Sequence, residues 1–141
     1  MDSNGPLRSK EVSRPRIVEK ELSYVIVGAF FEVYNALGYG FLESIYTKAL
    51  VVALRERGLL VECEVPVVVY FHGVEVGLHR LDILVEGRII LEVKSTERLS
   101  DVPKRQLRNY LSAKNLELGI LLHFGPKAQY FRVLRNKEAE L

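Results

Sequence analysis

The stretch from Arg80 to Lys94, RLDILVEGRIILEVK, constrains the fold more than any other. Two runs rich in Leu, Ile and Val are joined by Glu86-Gly87, a link short enough to impose a hairpin. Strand side chains alternate between faces, so Leu81, Ile83 and Val85 oppose Arg80, Asp82 and Leu84, while Ile89, Leu91 and Val93 oppose Ile90, Glu92 and Lys94. A plain two-residue turn would pair Val85 with Arg88 and set Asp82 on the same face as Leu91, mixing polar with apolar. With Gly87 as a left-handed bulge residue, all six apolar side chains share one face, and Asp82, Glu92 and Lys94 gather on the other. Two carboxylates and an amine on a half-buried face cost desolvation energy unless something compensates. A salt bridge on a solvated face would do so, and so would a bound cation if a third carboxylate joined them.

Around this hairpin the chain reads as helices and strands in sequence. From Ile17, apolar residues Leu22, Val25, Ile26, Ala29, Phe30, Val33, Tyr34 and Leu37 recur at helical spacing until Gly38 and Gly40. A second helix is expected over Leu42–Arg57, stopped by Gly58. LLVECEVPVVVYF and VEVGLHRLDILV, separated by His72-Gly73, make a meander with RIILEVKS. Pro103–Ala113 makes a short helix capped by Ser100 or Asp101. LGILLHF and AQYFRVL, turned by Gly125-Pro126, complete the sheet. Residues 1–16, polar and broken by prolines, are expected as a mobile basic arm, and residues 17–141 as a single domain.

At 141 residues and 48% hydrophobic, the chain can bury a core of its own. The lone cysteine, Cys63, forms no internal disulfide; flanked by Glu62 and Glu64, it is expected as a small buried hydrophobe. Its apolar runs are too short to span a bilayer, which excludes a membrane partner and favours the cytoplasm. Charge is uneven: Glu21–Val93 holds ten acidic against five Lys or Arg residues, whereas Lys94–Lys137 holds ten Lys or Arg against three acidic. That basic second half suits a polyanionic partner, although solvated surface charge gives the same count.

Asp82, followed by Glu92-Val93-Lys94, resembles the Asp…Glu-x-Lys core of the PD-(D/E)XK nuclease superfamily. GFLESIY, Gly40–Tyr46, is similar to the Gly-x-x-Glu-x-x-Tyr signature of its GxxExxY family, and QLRNY, Gln106–Tyr110, to the Gln-x-x-x-Tyr motif of RecB-like members. The resemblance covers roughly Phe30–Phe124, with RLD where the superfamily often has a proline before the aspartate. It implies an α/β, restriction-endonuclease-like core: a mixed central sheet flanked by helices in the order ααβββαββ. It also implies a metal-dependent nuclease that hydrolyses phosphodiesters with Mg2+ or Mn2+, held by Glu43, Asp82, Glu92 and the backbone carbonyl of Val93.

Lys94 would then polarise the attacking water or stabilise charge on the phosphate. Without the resemblance, Glu43 in the first turn of its helix would be read as complementing the helix dipole. Gln106 and Tyr110 share a helix face, where they hold water or phosphate or, for Tyr110, simply pack. Arg80 reaches either a phosphate or Asp82. Lys104, Arg105, Arg108 and Lys114 are expected to track a nucleic-acid backbone, DNA in preference to RNA, without reading sequence. Tyr46 is expected as a packed support, and His72, His79 and His123, scattered over different faces, have no assigned role. A homodimer is compatible with so small a chain. The rival account is a catalytically idle module that binds nucleic acid or a protein partner through the same surface.

Overall fold

In a computed structural model the described residues are 14–136, with side chains from residue 19. The arm expected over residues 1–16 lies outside them up to residue 13. Two helices come first, α1 (Arg14–Leu37) and α2 (Glu43–Glu56). Three strands follow, β1 (Val61–Phe71), β2 (Val74–Val85) and β3 (Ile89–Lys94). Helix α3 (Val102–Lys114) then leads to β4 (Leu118–Phe124) and β5 (Ala128–Leu134). The order is the expected ααβββαββ; α1 begins three residues early, and α2 stops one residue inside the expected range at either end.

The strands lie in the order β1-β2-β3-β4-β5, antiparallel except for the parallel β3–β4 pair that α3 connects. Helices α1 and α2 cover one face: Ile26, Phe30, Tyr46 and Leu50 pack on Ile83, Val85, Ile89, Leu91, Val93 and the Leu118–Phe124 alternation. Helix α3 covers the other, with Leu107 and Leu111 on Leu84, Ile90, Leu121 and Val133. Strands β3 and β4 are therefore buried on both faces, the physical reason they read as near-continuous apolar runs. Gly119 lets α3 sit close: a Cβ there would stand 2.8 Å from Leu107 Cδ1.

The hairpin between β2 and β3 carries the extra residue that the apolar pattern demands. Val85 pairs with Ile89, the Arg88 N–H donates to Val85 O at 2.9 Å, and Gly87 has φ +64°. Glu86 is also left-handed, at φ 54°, and is held there by Leu60: Glu86 N–H donates to Leu60 O at 2.8 Å, and its Oε2 accepts the Leu60 N–H at 2.6 Å. Ile83, Val85, Ile89, Leu91 and Val93 share the α1/α2 face as expected. Leu81 does not; it packs under α3 with Leu84. The alternation of β2 slips at Asp82, opposite a residue of β1, Glu64, whose φ of 52° breaks the regular pleat. Beyond this slip, β1 and β2 run on as a two-stranded ribbon with exposed Tyr70, Phe71, Val74, Val76 and Leu78.

Candidate active site

The site forms where the β2–β3 ladder stops. Regular pairing ends at Ile83 with Leu91, and beyond it the backbone partners are replaced by carboxylates. The Val93 N–H donates to Asp82 Oδ2 at 2.8 Å, and the Asp82 N–H donates to Glu92 Oε2 at 3.3 Å. A splayed ladder leaves N–H groups that must find acceptors, and here the two acids supply them. Asp82 and Glu92 thus meet through a break in the sheet, not through simple alternation. Lys94 follows two residues on, half-buried and in register with His123 of β4.

A third carboxylate comes from α2. Gly40, at φ +118°, turns the chain in a way that an L side chain rarely adopts, and Glu43 is the first helical residue. Glu43 Oε2 accepts the N–H of Ser95, the residue after Lys94, at 3.1 Å. Ser95 Oγ in turn donates to Phe41 O at 2.7 Å. Tyr46 fixes the loop from below: its hydroxyl donates to Gly38 O and accepts the Phe41 N–H, while its buried ring stacks on Phe124 at 4.1 Å. The Gly-x-x-Glu-x-x-Tyr spacing is therefore a folding device, in which glycine makes the turn, tyrosine pins it and glutamate is delivered to the strand end.

The three acids are electrostatically coupled. Burial, and then the charge of Asp82, push the Glu92 carboxyl up to about 8. Burial likewise raises Asp82, against the opposing pull of the Val93 N–H and Lys94. Glu43 adds to the repulsion on Glu92. Each carboxylate spends one oxygen on a backbone N–H and keeps its other oxygen free of hydrogen bonds among the described residues. Three such oxygen donors beside a lysine match a hard divalent cation in kind. Among the described residues no group of three His, Cys, Asp or Glu side chains is already drawn tightly enough to hold an ion. The three carboxyl groups are turned onto backbone N–H groups instead.

The structure brings the remaining expected residues together unevenly. Tyr110 reaches the site, raised by burial and by the charge of Glu92, and Gln106 is exposed one turn before it. Arg105 is exposed, and Lys114, half-buried, ends the helix. Lys104 and Arg108 lie on the opposite flank: Lys104 Nζ sits 4.0 Å above the Phe131 ring, and Arg108 Nε donates to Leu134 O at 3.2 Å. Two residues along a helix is a rotation of about 200°, so the flank that shows Gln106 and Tyr110 to the site turns Lys104 and Arg108 towards β5. Arg80 is exposed and makes no ion pair with Asp82.

Two residues depart from expectation. His79 stacks on Tyr110, ring centroids 4.0 Å apart and 5° from parallel, with Nε2 at 3.7 Å from Glu92 Oε2. That contact is not an ion pair, since burial lowers the imidazole while Glu92 keeps its proton. The slip at Asp82 places His79 under α3 with Leu81; in the structure it coincides with Glu64, which has no partner in the β1–β2 register. Cys63 is exposed, because β1 is an edge strand and α2 leaves a groove open over it. His123 is a buried structural residue, its Nε2 at 2.8 Å from Thr96 O.

A model of the PD-(D/E)XK nuclease superfamily matches residues 20–133, and the chain belongs to that superfamily. Its nucleases generally use divalent metals and bind nucleic acid. No curated protein matches the chain. The crystal structure of SSO0001 superposes with a TM-score of 0.51 at 21% identity, over 91% of this chain and 65% of that one, a likeness of fold. This chain thus spans about 65% of the length of that protein. Among the described residues no helix is long and apolar enough to cross a membrane.

Proposed function

We propose that this chain is a metal-dependent nuclease of the GxxExxY type, acting in the cytoplasm and hydrolysing nucleic-acid phosphodiester bonds. The observation that carries it is the convergence of Glu43, Asp82 and Glu92 beside Lys94 at the broken end of the β2–β3 ladder. Glu43, Asp82 and Glu92, with Val93 between the last acid and the lysine, are the residues that would hold Mg2+ or Mn2+. Such a cation supplies Lewis-acid stabilisation of the phosphate and a more acidic water. Lys94, half-buried at the strand end, would hold the attacking water or the developing phosphate charge. The Tyr110 phenol, kept protonated, remains a hydrogen-bond donor, and exposed Gln106 can orient a phosphate or water from the same flank. Exposed Arg105 and Arg80, together with Lys114, add charge for the backbone.

Pure protein incubated with single- and double-stranded DNA and RNA, with Mg2+, Mn2+, Ca2+ or chelator, tests this reading. Cleavage requiring Mg2+ or Mn2+ and lost in Asp82→Ala is the expected result. The absence of a tightly closed acid cluster among the described residues favours a second reading, an idle nuclease-fold module that binds nucleic acid or a protein partner. Binding without cleavage under every metal would select it. A homodimer belongs to the proposal too: β1 is an edge strand whose ribbon exposes Tyr70 and Phe71, and sedimentation of wild type against Tyr70→Glu decides it.

A further inference from the structure

We propose that the groove between α2 and β1, beside the site carboxylates, receives one unpaired nucleotide of the strand being cut, which makes the substrate single-stranded or locally unpaired nucleic acid. The inference rests on the nuclease reading for its link to cleavage and deepens it by naming the substrate class. The groove holds about 590 Å3 and is continuous with the site, since Glu43 and Asp82 line it. One wall is a single face of α2: Ser44, Thr47, Lys48, Val51 and Arg55 recur at three- and four-residue spacing. The other is Cys63 and Glu64 of β1.

Its chemistry fits a base with its phosphate. Val51, Cys63 and the stems of Lys48 and Arg55 give an apolar surface for a base face. Arg55 is anchored through Nη2 to Val61 O at 2.9 Å, whereas Lys48 is exposed and has no partner among the described residues. Lys48 is thus a cation free for phosphate on this side of the site, while Lys104 and Arg108 of α3 are turned to β5. At the Glu43 end stands Phe41, 45% exposed and held rigid through its N–H by Tyr46 and through its carbonyl by Ser95, a surface on which a neighbouring base can stack. A base in a duplex reaches a lateral groove only by leaving the stack, at a cost of a few kcal/mol that an unpaired base avoids. A base held by its face against Val51, Cys63 and the stems of Lys48 and Arg55 is gripped through its π surface, which every base has, so binding should tolerate sequence.

Cys63, the single cysteine of the chain, lines this groove and is exposed, so its alkylation by N-ethylmaleimide reports occupancy independently of cleavage. In Ca2+, a saturating single-stranded oligodeoxynucleotide should slow alkylation about tenfold, while a duplex, or a strand with abasic residues throughout, should leave it nearly unchanged. Lys48→Ala should weaken protection about fivefold in strand concentration and lower the salt dependence of binding. Cleavage of a single strand that leaves Cys63 as reactive as in free protein overturns the groove and spares the nuclease. Equal protection by duplex or by abasic strand also overturns it. Protection without cleavage in any metal keeps the groove and removes the nuclease reading; neither protection nor cleavage overturns both.

Discussion

Glu92 should make the metal-free protein less stable as pH rises, and Glu92→Gln should remove that dependence. Glu92 is 7% exposed, and its carboxyl is raised from an ordinary 4.5 to about 8 by burial and by Asp82. Below pH 4.5 the group is protonated in folded and unfolded chains alike. Between 4.5 and 8 the unfolded chain releases the proton and the folded chain keeps it, which favours unfolding by about 1.4 kcal/mol per pH unit. By pH 7 the loss from this group reaches roughly 3 kcal/mol, and above pH 8 it levels off. Glutamine keeps an oxygen to accept the Asp82 N–H but carries no charge to bury. Urea denaturation of both proteins from pH 5 to 8, compared at each pH, cancels the other titrating groups. Wild type should lose stability relative to the variant across that interval, and Mg2+ should restore it most at pH 8, where proton competition for the carboxylate is weakest in that range. A difference between the two proteins that stays flat with pH would mean that Glu92 is ionised in the fold, and the reasoning would fail.

Three further outcomes follow from particular contacts. Lys94→Ala should lower the cleavage rate by about 10²–10³-fold while a Mg2+-induced rise in melting temperature persists, because its contribution lies in the transition state. Tyr46→Phe strips the partner from the Phe41 N–H and the Gly38 carbonyl and should cost about 1–3 kcal/mol in urea denaturation, with a fall in activity as the Glu43 loop loosens. Gly119→Ala drives a Cβ against the buried Leu107 side chain and should destabilise by about 1–3 kcal/mol, read from thermal melts.

The architecture was legible because its signals are local or strongly periodic. Gly38 and Gly58, both at positive φ, end α1 and α2. The uniform apolar runs of β3 and β4 announce a sheet covered on both faces. The Glu86-Gly87 link demanded an extra residue, and Val85 pairs with Ile89 accordingly. What failed was any step that extended a perfect alternation through a functional residue. Leu81 and His79 were assigned by counting in twos from Ile83, and the count breaks at Asp82. Cys63 was placed inside by the same rule, on an edge strand where nothing packs over it.

The break and the site have one cause. A regular ladder would pair Asp82 and Glu92 through their backbones and leave both carboxylates projecting side by side with no backbone donor. Opening the ladder at that point frees the N–H groups of Asp82 and Val93, and the carboxylates of Glu92 and Asp82 accept them. Glu43, brought across by the Gly40 turn and the Tyr46 anchor, does the same for Ser95 at the strand's end. Each acid is thereby oriented by the backbone, with one oxygen held and one left over. A stretch that looked like a strand spoiled by charge is a strand that ends so that its charges can be positioned. The side chains that sequence counting misplaced, Leu81 and His79, are the ones that had to rotate to make that opening.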